Sequence, residues 1–387
     1  YPATRSGGLS IFLTVCVASA FAVATNELSF PLYVLLSVFF MTLTGFADDL
    51  IEVRYREKLF LQVFAGILMI LMKLKLFRPK FWNQKKPSLL SIILLLITGL
   101  YIFLFQVKKI LTKEKKFKIK TICIGNIYIG GTGKTPLTIK IADVLDKQGI
   151  KSVIIKKYRK EHNDEIKLIN KYFKQFLYLD TRVQSLNRAI LENYKVAVLD
   201  DGLQDFSFKK DIKIICFNSN SGLGNRMQIP SGPLRQSMQS IKDANFIVIN
   251  GNRNLELENN LKKLEVREEQ IFYSKYEITN IGNFKRKEFL VFSGIGNNES
   301  FFNLLKENEI KFLKKLSYPD HYEYSKTDIE QIKKIAVLKR LEILTTEKDY
   351  LRIKEDLRNN INFVSINLKI DDQDNFFNSI KKIYEKC

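Results

Sequence analysis

A glycine-rich stretch between a strand-like run and a helical pattern restricts the fold of this chain more than any other feature. The sequence CIGNIYIGGTGKTPLTIKIADVL, at residues 123–145, joins an apolar run that ends near Gly125 to a helical pattern that opens with Lys134 and Thr135. A strand, a glycine-rich turn and a helix in this order are the context of a phosphate-binding loop, because amides at a helix N-terminus attract anions. The stretch therefore predicts an α/β fold around a nucleotide site.

The residues of this loop have different predicted roles. The glycines allow backbone amides to point inward at the phosphates, and Lys134 adds a positive charge at the β- and γ-phosphates. The Thr135 hydroxyl is a predicted ligand for Mg²⁺. The first glycine usual in such a loop is replaced by Tyr128, and a surface lysine in an ordinary turn is the alternative interpretation. The predicted cofactor-binding residues here are Gly130, Gly131, Thr132, Gly133, Lys134 and Thr135.

From Lys118 onward, short apolar runs alternate with helical stretches. Buried, β-branched strands between helices are typical of a mostly parallel α/β sheet. We expect residues 118–387 to form a P-loop NTPase-like sheet with flanking helices, in two α/β lobes. The predicted strands are residues 119–124, 152–155, 196–199, 212–217, 246–249, 289–292 and 342–345, and the predicted helices include 135–148 and 300–308.

Two neighbouring acids follow one of these strands. The sequence VAVLDDGLQD places Asp200 and Asp201 directly after four apolar residues, in the position of a Walker B acid. Since the carboxyl ends of parallel strands meet at one edge of a sheet, both acids would hold Mg²⁺ near Lys134 and Thr135. A helix cap or a turn is the alternative for such a pair. Together with the loop, the pair predicts binding of ATP or GTP with Mg²⁺.

Transfer of a phosphoryl group to an alcohol also requires a base. The sequence contains two histidines, His162 and His321, and the second lies in the aromatic, turn-rich sequence YPDHYEYS. The sequence EHNDEIKL places Asp164 and Glu165 between the second strand and the next helix, at the same sheet edge as the loop. An aspartate oriented by a histidine can accept the hydroxyl proton. A solvated charged loop and a structural histidine are the alternatives.

Long apolar segments precede this region, at residues 9–25, 30–46, 59–76 and 89–105. Each approaches the ~20 residues that a membrane helix needs, so we expect membrane helices in residues 1–77, and an anchor helix with a basic neck in residues 78–117. Interfacial or core helices are the alternative for the weaker segments. The first segment has the length of a signal peptide, but Tyr1 and the lack of a small-residue cleavage site favour a clipped start.

Basic residues are concentrated directly after the fourth apolar segment. The formal net charge is +21, and residues 108–160 alone contain fifteen Lys and Arg against three Asp and Glu. This placement favours an anionic membrane surface over nucleic acid as the partner, and the positive-inside rule puts the following region in the cytoplasm. A second basic stretch lies before the fourth segment, at residues 73–86. The positive-inside rule then puts both ends of this segment on the cytoplasmic side of the membrane, as for a segment that enters the membrane without crossing it.

Six separated blocks of this chain resemble one kinase family. In order they are GNIYIGGTGKTP, DDGLQD, NRMQIPSGPLRQS, FSGIGNNESFFNLLKE, YPDHYEYS and LTTEKDYLRI, and RPKFWNQKKPSLLS precedes them. Over about residues 78–387 the chain resembles tetraacyldisaccharide 4'-kinase, the lipid A 4'-kinase. The resemblance implies a P-loop kinase that uses ATP and Mg²⁺ to phosphorylate the 4'-hydroxyl of a lipid A disaccharide 1-phosphate, at the cytoplasmic face of the inner membrane.

The resemblance also implies roles for individual residues. The loop and the paired acids keep the roles predicted above. The family sequence GDE corresponds to residues 163–165, which makes Asp164 the implied base and Glu165 a further metal ligand. His321 of PDHY is the implied partner of this base, and Arg235 of GPLR is an implied phosphate contact.

Some positions depart from the family pattern. Asp205 stands where the family sequence DDGFQH has its histidine, so any role of that histidine is lost or altered. The usual SRGY reads IKKY at residues 155–158, and lysine in place of arginine weakens bidentate phosphate recognition. The glutamate of GPLRE is Gln236. Since the loop, both strand-end acids, Asp164 and His321 are all present, we expect retained activity.

The first 75 residues resemble a second family. The sequences YPATRSGGLSIF and LTGFADDLIEVRYREKLFLQ are similar to polyprenyl-phosphate sugar-1-phosphate transferases, whose Mg²⁺-binding pair would be Asp48 and Asp49. Further acidic and histidine motifs of that family do not occur in this sequence, so a truncated remnant that serves as an anchor is the favoured interpretation. A helix-end pair at the membrane interface is an equal alternative for the two acids.

Three functions are compatible with these patterns. The favoured one is a membrane-anchored kinase that acts on a lipid A disaccharide 1-phosphate. A truncated sugar-1-phosphate transferase would have its activity in residues 1–75, and a P-loop NTPase without a lipid acceptor would hydrolyse nucleotide regardless of added lipid. The specific blocks after Asn218 disfavour the last function, because a generic P-loop switch does not need them.

Overall fold

A computed structural model of the protein describes residues 79–159 and 162–386. The membrane segments predicted at residues 9–25, 30–46 and 59–76, and the pair Asp48 and Asp49, lie outside the described residues. The strands and helices of the described residues all belong to one unit, Arg78–Cys387.

The larger sheet contains the predicted phosphate-binding loop. Its strands are β1 Lys120–Gly125, β2 Ser152–Ile155, β3 Phe176–Leu177, β4 Val196–Asp200, β5 Ile212–Asn218, β6 Phe246–Asn250, β7 Ile271–Ile278 and β12 Ile366–Ile370. They are ordered β12-β7-β6-β5-β1-β4-β2-β3, so the strand that precedes the loop lies near the centre, between β5 and β4. The described pairings in this sheet are parallel, except that β12 runs antiparallel to β7.

The smaller sheet is formed by a later part of the chain. Its described strands are β8 Glu288–Ser293, β9 Lys311–Ser317, β10 Glu342–Thr346 and β11 Ile361–Val364. They are ordered β11-β10-β8-β9 and pair in parallel. The chain thus enters the smaller sheet after β7 and returns to the larger one with β12, so the carboxyl-terminal segment completes the first sheet.

Helices flank both sheets. They are α1 Leu89–Ile93, α2 Leu95–Leu111, α3 Lys134–Lys147, α4 Asn163–Tyr172, α5 Arg182–Leu191, α6 Leu255–Lys262, α7 Asn298–Glu307, α8 Lys326–Leu338, α9 Glu347–Arg352 and α10 Gln373–Lys386. Side-chain caps mark several of the starts. At α5 the Thr181 hydroxyl accepts the amide of Gln184, and at α8 the Ser325 hydroxyl accepts the amide of Asp328. These caps satisfy amides that have no partner within the helix.

Apolar side chains cover both faces of the larger sheet. Along β1, Ile122 and Ile124 point into a cluster shared with α3, α4 and α10, whereas Cys123 points into a cluster shared with α5 and α6. Burial of both faces is the normal state of a parallel sheet, because helical crossovers cover it on each side. The polar side chains therefore collect at the carboxyl ends of β1 and β4, where the loops begin.

The fourth predicted membrane segment, residues 89–105, forms two helices separated by a single residue. Ser88 caps α1, with its hydroxyl accepting the amide of Ser91. Apolar side chains of α1 and α2 are exposed, among them Leu89 and Phe103. None of the helices in the described residues is both long enough and apolar enough to cross a membrane.

The mostly parallel α/β sheet is confirmed, and the predicted strands and helices named above differ from the observed ones by at most two residues at each end. The sequence analysis named no strand at β3, β7, β9, β11 or β12. The lysine-rich sequence of β9, KFLKKLS, lies at an edge of the smaller sheet, where charged residues are common because they discourage pairing with other chains. Strand β12 pairs with the distant β7, and such a pairing leaves no local pattern.

Leu368→Ala should lower the free energy of unfolding by about 2 to 5 kcal/mol. Its side chain is buried in β12, the strand by which the carboxyl-terminal segment joins the larger sheet. Leu338→Ala removes the same atoms from an exposed position in α8 and should change this energy by less than about 0.5 kcal/mol. Urea unfolding in detergent measures both variants. Equal losses would show that β12 is not packed into the sheet.

Candidate active site

The phosphate-binding loop connects β1 to α3. Gly133 has a φ of +86°, and a Cβ there would lie 2.7 Å from Nδ2 of Asn250, so glycine is required. Lys134 begins α3, which puts the positive end of the helix dipole at the loop. The hydroxyl of Thr132 is buried and has no hydrogen-bond partner among the described residues. A phosphate oxygen would satisfy it, so the loop fits the phosphates of a nucleotide.

Asp200 ends β4 and is fully buried beside this loop. The hydroxyls of Thr135 and Thr138 donate to its carboxylate, at 3.0 and 3.3 Å. Since β4 pairs in parallel with β1, with Asp200 opposite Ile124, the acid lies at the same sheet edge as the loop. The structure thus brings together the hydroxyl and the acid that the sequence predicted to meet.

Asp201 follows in the left-handed backbone conformation, with a φ of +52°. Nη1 of Arg235 donates to its Oδ1 at 3.1 Å, and Nζ of Lys134 lies 3.5 Å from the same atom. Burial opposes ionisation, but Lys134 and Arg235 outweigh this effect and hold the pKa of Asp201 well below its usual value. Asp201 is therefore a carboxylate at physiological pH, paired with two cations of the predicted nucleotide site.

The oxygen atoms at this strand end fit Mg²⁺. This ion favours carboxylate and hydroxyl oxygens together with water and phosphate oxygens. The Thr135 hydroxyl and Oδ2 of Asp200 are 3.0 Å apart, close to the separation of neighbouring ligands that each lie ~2.1 Å from one octahedral ion. These two side chains could supply the protein ligands, and Asp201 lies next to them.

Arg182 stabilises the turn that contains Asp200 and Asp201. Its Nη2 donates to the carbonyl oxygens of Asp200 and Asp201, at 3.1 and 2.8 Å, and its Nη1 donates to Oδ2 of Asp205 at 3.1 Å. Asp205 also accepts a hydrogen bond from the hydroxyl of Ser207 at 2.6 Å. The aspartate that replaces the family histidine is therefore part of an ion pair that supports the backbone of the two acids.

A second cluster surrounds Asp164 in the first turn of α4. Nε and Nη2 of Arg352 lie 2.8 and 2.7 Å from its Oδ2, and Nζ of Lys348 lies 3.6 Å from the same oxygen. Nδ1 of His321 lies 3.7 Å from Oδ1. Both cations belong to α9, which connects β10 to β11 of the smaller sheet and packs against α4 of the larger one.

These contacts keep the buried carboxyl of Asp164 ionised. Burial alone would raise its pKa, but Lys348, His321 and Arg352 together lower the pKa of Asp164 below its usual value. Asp164 is therefore a carboxylate at physiological pH.

Lys156 joins the two clusters. Its buried Nζ lies 2.6 Å from Oδ2 of Asp200 and 2.6 Å from Oε2 of Glu165, whose Oε1 accepts from Lys348 at 2.6 Å. Burial would lower the pKa of Lys156, but the two carboxylates raise it. Against the effect of burial, Lys156 and Lys348 hold the pKa of Glu165 well below its usual value. Lys156, which stands where the family sequence SRGY has its arginine, thus neutralises two acids in the structure.

The two histidines lie side by side next to these acids. His321 is in the turn after β9, with a φ of +56°. Its ring centroid lies 4.6 Å from that of His162, whose Nδ1 lies 3.2 Å from Oε2 of Glu165. The pairing of His321 with Asp164 was predicted, and the second histidine beside it was not.

The loop after β8 covers the phosphate-binding loop. A Cβ on Gly296 would lie 2.5 Å from the backbone N of Gly131, so only glycine permits this approach. The neighbouring Asn297 donates from Nδ2 to the hydroxyl of Ser221, after β5, at 3.4 Å. Loops of the two sheets therefore meet over the nucleotide site.

The predicted site residues lie in these two adjacent clusters, although their catalytic roles stay predictions. One cluster contains Lys134, Thr135, Asp200, Asp201 and Arg235, and the other contains Asp164, Glu165 and His321. The sequence interpretation missed Lys348 and Arg352. Both belong to the block LTTEKDYLRI, and their spacing of four residues puts them on one face of a helix, a signal that could have indicated a shared partner.

Lys156→Met should lower the free energy of unfolding by about 3 to 5 kcal/mol at about pH 8, because two buried carboxylates lose their shared cation. The loss should persist down to about pH 4.5, the unfolded pKa of Glu165, and shrink at lower pH. The lowered pKa of Glu165 gives a stabilising contribution that is complete above this value and is lost as the pH falls from it through the folded pKa. Urea unfolding at about pH 8 and at about pH 3.5 measures this, with the half-exposed neighbour Lys157→Met as control. Equal losses in the two variants would contradict the buried bridge.

Two family models match this chain. The model described as tetraacyldisaccharide-1-P 4'-kinase matches residues 90–385, and the model of glycosyl transferase family 4 matches residues 31–108. The second match confirms a similarity to a sugar-transferring family near the amino-terminal end. It covers a minor part of the chain.

Curated relatives and a solved structure agree with the first match. The tetraacyldisaccharide 4'-kinase of Pelagibacter ubique (strain HTCC1062) is 44% identical over 318 residues, 81% of this chain and 100% of that protein. That of Rickettsia canadensis (strain McKiel) is 31% identical over 335 residues, 81% of this chain and 98% of that protein. The crystal structure of LpxK from Aquifex aeolicus, described as an "apo" form in complex with ATP, has the same fold, with a TM-score of 0.58 and 24% identity over 76% of this chain and 100% of its own. The long family match and the relatives covered over almost their whole length show that this chain belongs to the tetraacyldisaccharide 4'-kinase family.

Proposed function

We propose that this chain transfers the γ-phosphoryl group of ATP to the 4'-hydroxyl of a tetraacyldisaccharide 1-phosphate, a step of lipid A biosynthesis. Family membership supports the reaction. The observation that carries the proposal is the bridge made by Lys156, 2.6 Å from Asp200 and 2.6 Å from Glu165. This bridge puts a phosphate-binding loop with its strand-end acids directly beside a buried carboxylate that can act as a base.

The nucleotide cluster, which consists of Lys134, Thr135, Asp200, Asp201 and Arg235, provides the positive charge that phosphoryl transfer requires. The loop residues 130–135 bind the phosphates, and Lys134 and Arg235 stabilise the charge that develops on the transferring group. Thr135 and Asp200 would hold Mg²⁺, with Asp201 beside them, and the ion would supply further positive charge to the phosphates. Glu165, also predicted as a metal ligand, is linked to this site through Lys156.

The acceptor cluster, which consists of Asp164, Glu165 and His321 with the cations Lys348 and Arg352, provides the base. Oδ2 of Asp164 is occupied by Arg352 and lies near Lys348, which leaves Oδ1, on the side of His321, for the hydroxyl of the substrate. Asp164 accepts the proton as the bond to phosphorus forms, and His321 orients the carboxylate. Lys348 and Arg352 of α9 keep Asp164 ionised, so that it can accept the proton.

We also propose that the kinase works at the cytoplasmic face of the inner membrane, where the acyl chains of its substrate stay partly in the bilayer. Exposed apolar residues of α1 and α2, such as Leu89, Phe103 and Ile110, support contact with lipid. Basic residues in the last turn of α2, Lys108 and Lys109, support attraction to anionic head groups.

Asp164→Asn should lower kcat for transfer by about 10²- to 10⁴-fold, because the amide cannot accept the hydroxyl proton. Binding of ATP should change little, since Asp164 lies outside the nucleotide cluster. The measurement is transfer of labelled γ-phosphate from ATP to a detergent-dispersed tetraacyldisaccharide 1-phosphate. Asp180→Asn, at an exposed position, is the matched control and should leave the rate unchanged.

The same assay separates the alternative functions. A chain in which Asp48→Asn and Asp49→Asn are combined should phosphorylate the acceptor as well as the original chain, whereas a sugar-1-phosphate transferase would depend on these two acids. A simple NTPase would release phosphate at the same rate with and without the lipid. Absence of acceptor phosphorylation by a chain that binds Mg-ATP would overturn the proposed function.

A further inference from the structure

Helix α2 presents one face to the nucleotide site. Thr98, Tyr101 and Phe105 are spaced by three and four residues, so they lie on the same side of this helix. Each of them contacts a segment that includes or adjoins a residue of the nucleotide cluster. A helix that served only as a membrane anchor would not need these contacts with the nucleotide site.

The first of these segments is the loop that contains Arg235. The hydroxyl of Tyr101 donates to the carbonyl oxygen of Arg235 at 2.6 Å. The buried hydroxyl of Thr98 donates to the side-chain hydroxyl of Ser231 at 2.7 Å. Burial raises the pKa of Tyr101, so its phenol stays protonated and keeps donating. From the other side, the amide of Arg235 donates to the carbonyl oxygen of Ile127 at 2.7 Å. The main chain of Arg235 is thus fixed between α2 and the phosphate-binding loop.

The second segment follows Asp201. Phe105 packs edge to face against Phe206, with ring centroids 5.5 Å apart and an interplanar angle of 78°. Phe206 adjoins Asp205, whose ion pair with Arg182 supports the backbone of Asp201. Helix α2 therefore holds both segments whose side chains meet at the nucleotide site.

We propose that Tyr101 and Phe105 are positioning residues of the kinase, which set Arg235 against Asp201. This inference rests on the proposed function. Nη1 of Arg235 lies 3.1 Å from Oδ1 of Asp201, so its guanidinium can reach a phosphate only from a main chain held within a narrow range. Phe103, two residues from both Tyr101 and Phe105, is exposed on the other face of α2.

The test compares Tyr101→Phe with Tyr273→Phe in the full chain. Each variant loses one tyrosine hydroxyl that donates a hydrogen bond. The hydroxyl of Tyr273 donates to Glu258 at 2.7 Å, and Tyr273 packs on the face of the larger sheet that α5 and α6 cover, opposite to the face covered by α3. Tyr101→Phe should lower kcat/KM for ATP about five- to tenfold, whereas Tyr273→Phe should leave it unchanged. Unchanged kcat/KM in Tyr101→Phe would overturn the inference.

A double-mutant cycle separates positioning from a general loss of stability. In an Arg235→Ala background, Tyr101→Phe should lower kcat/KM by less than about twofold, because the side chain that it positions is gone. The same loss in both backgrounds would overturn the inference. Phe206→Leu weakens the contact with α2 without changing the helix, and it should show the same dependence on Arg235. This second variant keeps the test decisive if Tyr101→Phe folds poorly.

The Kd for ATP is measured on the same preparations. If the unsubstituted chain binds ATP but does not phosphorylate the acceptor, the proposed function fails. The double-mutant cycle is then calculated from the Kd for ATP in place of kcat/KM. Coupling between Tyr101 and Arg235 in the Kd would support the inference, because the positioning of a phosphate contact does not depend on the acceptor. Additive changes in the Kd would overturn it.

Discussion

The ionic bridge of Lys156 is the interaction on which the rest of the site depends. Asp200 is fully buried at the end of β4, and an uncompensated charge there would cost several kcal/mol. The Lys156 ammonium neutralises it and at the same time reaches Glu165 on α4. One buried cation therefore contacts both the nucleotide cluster and the first turn of α4, and it holds the two close together.

The same requirement joins the two sheets. Asp164 is buried in the first turn of α4, and its partners Lys348 and Arg352 come from α9, which lies between β10 and β11 of the smaller sheet. A buried carboxylate without these cations would be protonated or would expose itself to water. Docking of the smaller-sheet part over α4 thus completes the acceptor cluster. The lowered basicity of Asp164 is the chemical consequence, and it suits phosphoryl transfer, where little negative charge forms on the attacking oxygen before the phosphoryl group moves.

The helices before the larger sheet are integrated with the site as well. Trp82 donates from Nε1 to the carbonyl oxygen of Pro230 at 3.0 Å, and Asn225 donates to Ser91 of α1 at 3.1 Å. These bonds hold the loop that leads to Arg235, as Tyr101 of α2 does. Helices α1 and α2, with their exposed apolar side chains, are therefore connected by hydrogen bonds to the loop that would contact phosphate.

The sequence alone determined the parallel α/β sheet, the phosphate-binding loop and the acids after β4, because alternation of apolar runs and a strand, loop and helix order are local properties. It also identified Asp164 and His321, through blocks that resemble one family. Only the tertiary structure decided that Lys156 bridges Asp200 and Glu165, that α9 provides the cations around Asp164, and that β12 returns to the first sheet. These contacts join residues far apart in the chain, and their energies come from burial and charge pairing, which no local pattern records.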